Sequence, residues 1–200
     1  MSDRHIKKPS LFTLVTYAPQ PLQRWMVRLR RELPVEGNSQ PHITILPPRP
    51  LTMSGREARQ KITSILSTWQ SFEIELSGVR VFPNSNVLYL EVSEGINTLR
   101  RLHAELDSGE FAHNEEFDFH PHVTIGGPVA ADQLPSYTRK AIDRWANSRC
   151  PSRFLIDQVA FVTISGDRSK GNWRRLWAQK LPAAKTYRRA ARAAVTSQTF

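Results

Sequence analysis

Pro41-His42-Ile43-Thr44-Ile45 is followed, 80 residues on, by Pro121-His122-Val123-Thr124-Ile125, so one five-residue pattern stands twice in a chain of 200 residues. A short, apolar, β-branched run behind a proline reads as a strand. Side chains of a strand alternate faces, which sends His42 and Thr44 one way and Ile43 and Ile45 the other. At a rise of about 3.3 Å per residue the imidazole and the hydroxyl stand about 6.6 Å apart along the chain. Each copy therefore buries one face and offers a histidine and a threonine on the other.

Around these strands the order of elements also repeats. Residues 11–17 are β-branched and aromatic between Pro9 and Pro19, a strand; residues 20–33 place Leu22, Trp25, Met26, Leu29 and Leu33 three and four apart, an amphipathic helix. After the strand at residues 42–46 comes a turn, Pro47-Pro48-Arg49-Pro50. Ser54 with Glu57 three residues later then opens a second helix. Residues 72–81 continue as strand to a turn at 83–86. Strand, helix, strand-like stretch, helix and strand follow again at 87–92, 95–108, 117–125, 132–147 and 154–164, offset from their counterparts by 75 to 80 residues. A last strand is expected at 173–181, and 183–200 is an Ala/Arg/Lys segment read as a solvated tail.

The composition is that of a globular chain: 40% hydrophobic and 23% charged, with 28 Lys+Arg against 18 Asp+Glu, a net charge of +10 and a pI near 10.3. From Arg168 onward there are nine basic residues and no acid, so the excess is concentrated at the C-terminal end. The single cysteine, Cys150, leaves no intramolecular disulfide framework and suits a reducing cytoplasm. No apolar run approaches the roughly 20 residues of a membrane span. Residues 4–18 loosely imitate a secretory leader, but the two threonines within the run and Pro19 and Pro21 after it favour a buried strand.

Two imidazoles facing each other across a groove can hold opposite protonation states, one accepting a proton and the other donating it. The two threonine hydroxyls could then donate to the non-bridging oxygens of a phosphate. This pattern resembles the 2H phosphoesterase superfamily, which includes bacterial 2′-5′ RNA ligase-like proteins and cyclic nucleotide phosphodiesterases. Its hallmark is a pair of His-hydrophobic-Thr/Ser-hydrophobic motifs in a duplicated α/β fold, and His42-Ile43-Thr44-Ile45 and His122-Val123-Thr124-Ile125 match it. The resemblance covers roughly residues 10 to 181. It implies phosphodiester attack without a metal or other cofactor, commonly on 2′,3′-cyclic phosphates or 2′-5′ linkages of RNA and nucleotides. Catalysis would lie with His42, Thr44, His122 and Thr124, and reversal of the reaction would join RNA ends. One departure is Gly126-Gly127-Pro128, where many ligase-like members carry a basic residue.

His120, Tyr17, Trp173 and Arg174 are further candidates for substrate binding, through phosphate or base stacking; His5, His103 and His113 read as surface residues. The rival chemistry is a zinc site from His42, His120 and His122, which leaves both threonines without a role. A rival of another class is a nucleotide- or RNA-binding module without turnover; a third reading is an enzyme degrading cyclic oligonucleotides. The expectation taken forward is an α/β (α+β) fold in one domain, residues 1–182. Its two lobes, about 10–82 and 86–181, carry antiparallel-rich sheets that flank a central groove, with helices outside and a basic tail at 183–200. RNA ends or small cyclic nucleotides are the expected partners of a cytoplasmic monomer.

Overall fold

Residues 11–37, 39–165 and 172–184 are described by a computed structural model. The chain runs β1 (Leu11–Tyr17), α1 (Gln20–Glu32), β2 (His42–Pro50), α2 (Gly55–Ser67), β3 (Phe72–Phe82), β4 (Val87–Glu94) and α3 (Ile96–Leu106). A 3₁₀ turn (Gly109–Phe111) then leads to β5 (His122–Gly126), α4 (Leu134–Ala146), β6 (Arg153–Ile156), β7 (Gln158–Ser165) and β8 (Asn172–Lys180). The helix signals read from the sequence act as expected. Ser54 Oγ accepts from the Glu57 amide at the start of α2, and α1 buries Leu22, Trp25, Met26 and Leu29.

The strands form one antiparallel sheet in the order β6-β3-β4-β5-β2-β1-β7-β8. The mixed α/β class is as expected, and the two expected sheets are the halves of this one, joined at its centre by a single registered pair, Ile43 with Val123. The halves do not coincide with the sequence repeats at 10–82 and 86–181. β3 of the first repeat pairs with β4 and β6 of the second, while β7 of the second pairs with β1 of the first. Each repeat thus hands its closing strand to the other's half. The single strand expected at 154–164 is divided at Asp157 for this reason: β6 borders one edge of the sheet, and β7 lies in the other half.

Two further local differences have physical causes. The Pro47-Pro48-Arg49-Pro50 segment is the second half of β2, not a turn. Pro47 and Pro48 fall in the register shift between the Phe12–Arg49 and Leu14–Leu46 pairs, where β2 has no β5 partner either, and Pro50 ends the strand opposite Leu11. Arg49 there is 1% exposed, its guanidinium bound to the carboxylates of Asp107 and Glu115 and to the Phe111 carbonyl. The stretch 117–121 is irregular rather than strand, and β5 begins at His122.

The core lies between the helices and one face of the sheet. Ile43, Ile45, Val123 and Ile125 are buried there with Leu22, Met26, Leu29 and Leu102. On the opposite face a smaller apolar cluster, Val15, Ala160 and Val162, carries Tyr17 and Trp173 against it.

Candidate active site

His42, Thr44, His122 and Thr124 each sit between two buried neighbours in the same alternating pattern. All four are therefore on the face away from the helices. Because the strands are antiparallel with Ile43 opposite Val123, extending the register by one residue sets His42 across from Thr124 and Thr44 across from His122. The two imidazoles are then diagonal neighbours, about 7–8 Å apart at their backbones. A pair of motifs 80 residues apart in sequence meets at the seam of the sheet.

Both rings are held alike. His42 Nδ1 lies 2.7 Å from the Gln40 carbonyl oxygen, and His122 Nδ1 lies 2.7 Å from the His120 carbonyl oxygen. A carbonyl only accepts, so each Nδ1 carries a proton and each neutral ring presents Nε2 as an acceptor. His122 Nε2 takes the Thr124 hydroxyl at 3.1 Å; among the described residues no group hydrogen-bonds His42 Nε2 or the Thr44 hydroxyl. Burial lowers the pKa of both imidazoles. For His122 it falls to about 4, with the charges of His120 and His42 adding to the effect; for His42 the Arg30 charge adds to it.

Arg30 was not singled out by the sequence reading. Its side chain donates from Nε to the Ile125 carbonyl, from one terminal nitrogen to the Thr124 carbonyl and from the other to the Ser39 carbonyl, at 2.7 to 2.9 Å. One guanidinium thus ties β5 to the segment entering β2 where the sheet itself supplies one pair. The helical period carried the signal: Arg30 follows Met26 by four residues and precedes Leu33 by three, on the flank of a buried face.

The four candidate binding residues divide. Tyr17 pairs with His42 in register, its ring 6.4 Å away, and the Trp173 ring lies 5.1 Å from His42. His120 stands 6.1 Å from His122 in a box made with Phe82 and Tyr89, and its buried Nε2 has no hydrogen-bond partner among the described residues. Arg174 is not part of this set. It pairs with Thr163 and points to the other face, whereas Arg175 pairs with Val162, shares the groove face with Trp173, and lowers the Tyr17 pKa against the raising effect of burial. Phe82 and Tyr89 carry no local signal in the sequence: Tyr89 reaches the second motif through β4–β5 pairing, in register with Thr124, and Phe82 reaches it through β3–β4 pairing.

His103 is not a surface residue. It stacks on Phe119 at 3.9 Å and donates Nδ1–H to the Ile45 carbonyl, supporting β2 from α3. His113 is exposed, and His5 lies outside the described residues. The three histidines of the rival zinc reading are not arranged as a ligand set: among the described residues no group of three or more His, Cys, Asp or Glu is placed to hold a metal ion. The glycines after the second motif answer to packing. A Cβ on Gly126 would come within 2.5 Å of Val35, and the Gly127 amide bonds the Glu36 carbonyl.

A family model described as the 2′-5′ RNA ligase superfamily matches residues 18–168. A Geobacillus sp. (strain WCH70) protein named as a phosphoesterase is 36% identical over 94 residues, 42% of this chain and 54% of that protein. A similarly named protein of Halalkalibacterium halodurans is 30% identical over 103 residues, 47% of this chain and 60% of that one. The chain thus aligns with little more than half the length of these relatives. Among solved structures, LigT of E. coli in its apo form superposes with a TM-score of 0.61 at 15% identity, covering 87% of this chain and 98% of LigT. LigT complexed with 3′-AMP gives 0.60 at the same identity, with 87% of this chain and 99% of LigT covered.

Proposed function

The chain belongs to the 2′-5′ RNA ligase superfamily, and from that membership and the paired motifs we propose that it is a phosphodiesterase acting on 2′,3′-cyclic phosphates or 2′-5′ linkages at RNA ends and in small nucleotides. The observation that carries this reading is the matched orientation of His42 and His122: each Nδ1 is tied to a backbone carbonyl two residues back, and each Nε2 is directed away from it.

In hydrolysis one Nε2 takes a proton from water as the water oxygen bonds to phosphorus. The phosphorus–oxygen bond to the departing ribose oxygen breaks, and the other ring, arriving as imidazolium, gives that oxygen its Nε2 proton. Thr44 and Thr124 donate to the non-bridging oxygens, where charge gathers in the transition state. Burial favours the neutral form of both free rings; a phosphodiester anion beside them raises their pKa values, so the ring that serves as acid takes up its proton from solvent as the substrate binds. The complex of LigT with 3′-AMP supports a groove of nucleotide size in this fold. Tyr17 and Trp173 on one side, and Phe82, Tyr89 and His120 on the other, supply surfaces for bases. None of these steps calls for a metal, and a cytoplasmic setting suits the single thiol.

The test is incubation with a 2′,3′-cyclic mononucleotide in the presence of a chelator, with His42→Ala and His122→Ala proteins alongside. Product from the native protein and about 10²–10⁴-fold less from each variant is the expected result. Tight nucleotide binding with no product from the native protein would replace the enzyme by a binding module, and activity lost to chelator and restored by zinc would replace its chemistry.

A further inference from the structure

We propose that Arg175 and the Tyr17 hydroxyl form a second anion subsite at the first-motif end of the groove, one that holds a phosphate without turning it over. The preferred substrates are then nucleotides that carry a further phosphate beside the one attacked. The inference rests on the phosphodiesterase reading above and narrows the substrate within it.

Trp173 and Arg175 are alternate residues of β8, so both face the groove, about 6.6 Å apart along the strand. The Trp173 ring lies 5.1 Å from that of His42, and the Tyr17 ring lies 6.4 Å from it. Both rings pack on Val15, Ala160 and Val162, and Arg175 is the register partner of Val162. The three side chains therefore border one patch beside the first histidine. The Arg175 charge is felt at the Tyr17 phenol, which burial nonetheless keeps protonated and able to donate. Arg175 is exposed, and among the described residues it is in no ion pair. A guanidinium matches phosphate oxygens two at a time and holds its charge at any working pH, and the phenol adds a further donor.

The opposite end of the groove is built differently. Tyr89 is in register with Thr124 and Arg80 with Tyr89, which puts Arg80 on the groove face of β3. Its charge is already matched there: Glu91, in register with His122, takes the Arg80 Nε at 3.2 Å and also accepts from the Ser77 hydroxyl at 3.2 Å. A phosphate at that end would meet a carboxylate, whereas an uncharged base meets the rings of Phe82, Tyr89 and His120. The groove thus has a direction, with a surface for a base at the second motif and an unmatched cation at the first. A nucleotide with its base in the aromatic box and its reacting phosphorus between the histidines carries its next phosphate toward Arg175. That phosphate is either the 5′-monoester of the same nucleoside or the diester to a neighbouring one.

The experiment compares KM for three compounds: a nucleoside 2′,3′-cyclic phosphate, the same compound with a 5′-phosphate, and a dinucleotide that ends in the cyclic phosphate and has a free 5′-hydroxyl. In the native protein at least one of the two compounds with a second phosphate should have a KM about tenfold or more below that of the first, and which one does so identifies the phosphate held. Arg175→Gln should abolish most of this advantage, Arg175→Lys should keep part of it, and Tyr17→Phe should lose part. Arg174→Gln removes the same charge from the other face of β8 and should keep the native advantage. Equal KM values for the three compounds in the native protein overturn the subsite. So does an advantage that survives Arg175→Gln, or one that falls equally in Arg174→Gln, which would be attraction to net charge alone. If the native protein turns over none of the compounds, calorimetry with a nucleoside 3′-phosphate and its 3′,5′-bisphosphate separates the two readings. Tighter binding of the bisphosphate that depends on Arg175 leaves the subsite standing while the enzymatic reading fails; equal binding ends both.

Discussion

Acid should destabilise this protein through its histidines, and the size of the effect at His122 follows from its surroundings. Folded, the ring is desolvated and its pKa falls to about 4; unfolded, it titrates near 6.5. Between these values the unfolded chain binds a proton that the folded one refuses, so the free energy of unfolding falls as pH falls, by about 1.4 kcal/mol per pH unit. Stability is whole above pH 6.5 and declines by about 2 kcal/mol by pH 5 and about 3 kcal/mol by pH 4. His42, also lowered by burial, acts with the same sign. Carboxylates begin to titrate in this range too, so the measurement must be a difference. Urea unfolding from pH 7 to pH 5 is compared between the native protein and His122→Asn, whose amide retains a donor for the His120 carbonyl but no titration. The native curve should fall more steeply, with the gap between the two closing by about 2 kcal/mol over that range. Saturating inorganic phosphate, by favouring the charged ring, should reduce the native protein's loss. Parallel curves for the two proteins would mean that His122 is not desolvated in solution, and the account of a neutral Nε2 acceptor would go with it.

Removing the Arg30 charge with Arg30→Met should raise the His42 pKa, moving its imidazole resonances to a higher midpoint in an NMR titration, and should lower kcat more than it changes KM because the strap between the motifs is lost. Arg49→Met leaves the Asp107 and Glu115 carboxylates without their cation and should cost about 3 kcal/mol, read from the urea midpoint. Trp173→Ala should weaken nucleotide binding by about tenfold or more with kcat nearly unchanged, while Arg174→Ala, on the other face, should leave both as they are.

What the sequence reveals here is what short-range chemistry determines. The period-two pattern at His42 and His122, the face of α1 and the cap at Ser54 are each decided within a few residues, and each is found where expected. The pairing of β7 with β1 spans more than a hundred residues and that of β6 with β3 about eighty, and no local pattern carries either. The four residues from Pro47 read as a turn because clustered prolines usually break a ladder; here they fall on a stretch of β2 that has lost its β5 partner. Strand alternation from Trp173 places Arg175, not Arg174, on the groove face. His103 looked like a surface group on a helix, and only the approach of Phe119 and the Ile45 carbonyl makes it a support. The tail from Lys185 onward, expected to be solvated, lies outside the described residues.

The exchanged strands bear on how the chain comes to be folded. β1, the strand paired with the one that holds His42, finds its second neighbour only when residues 158–165 have been made, so the first motif stays on an incomplete platform through most of synthesis. Such long-range closure is slow, and it exposes an unpaired β1 edge while it waits. A ribosome-bound chain halted before β7 should therefore be protease-sensitive in β1 and β2, although the strands from β3 to β6 are already complete.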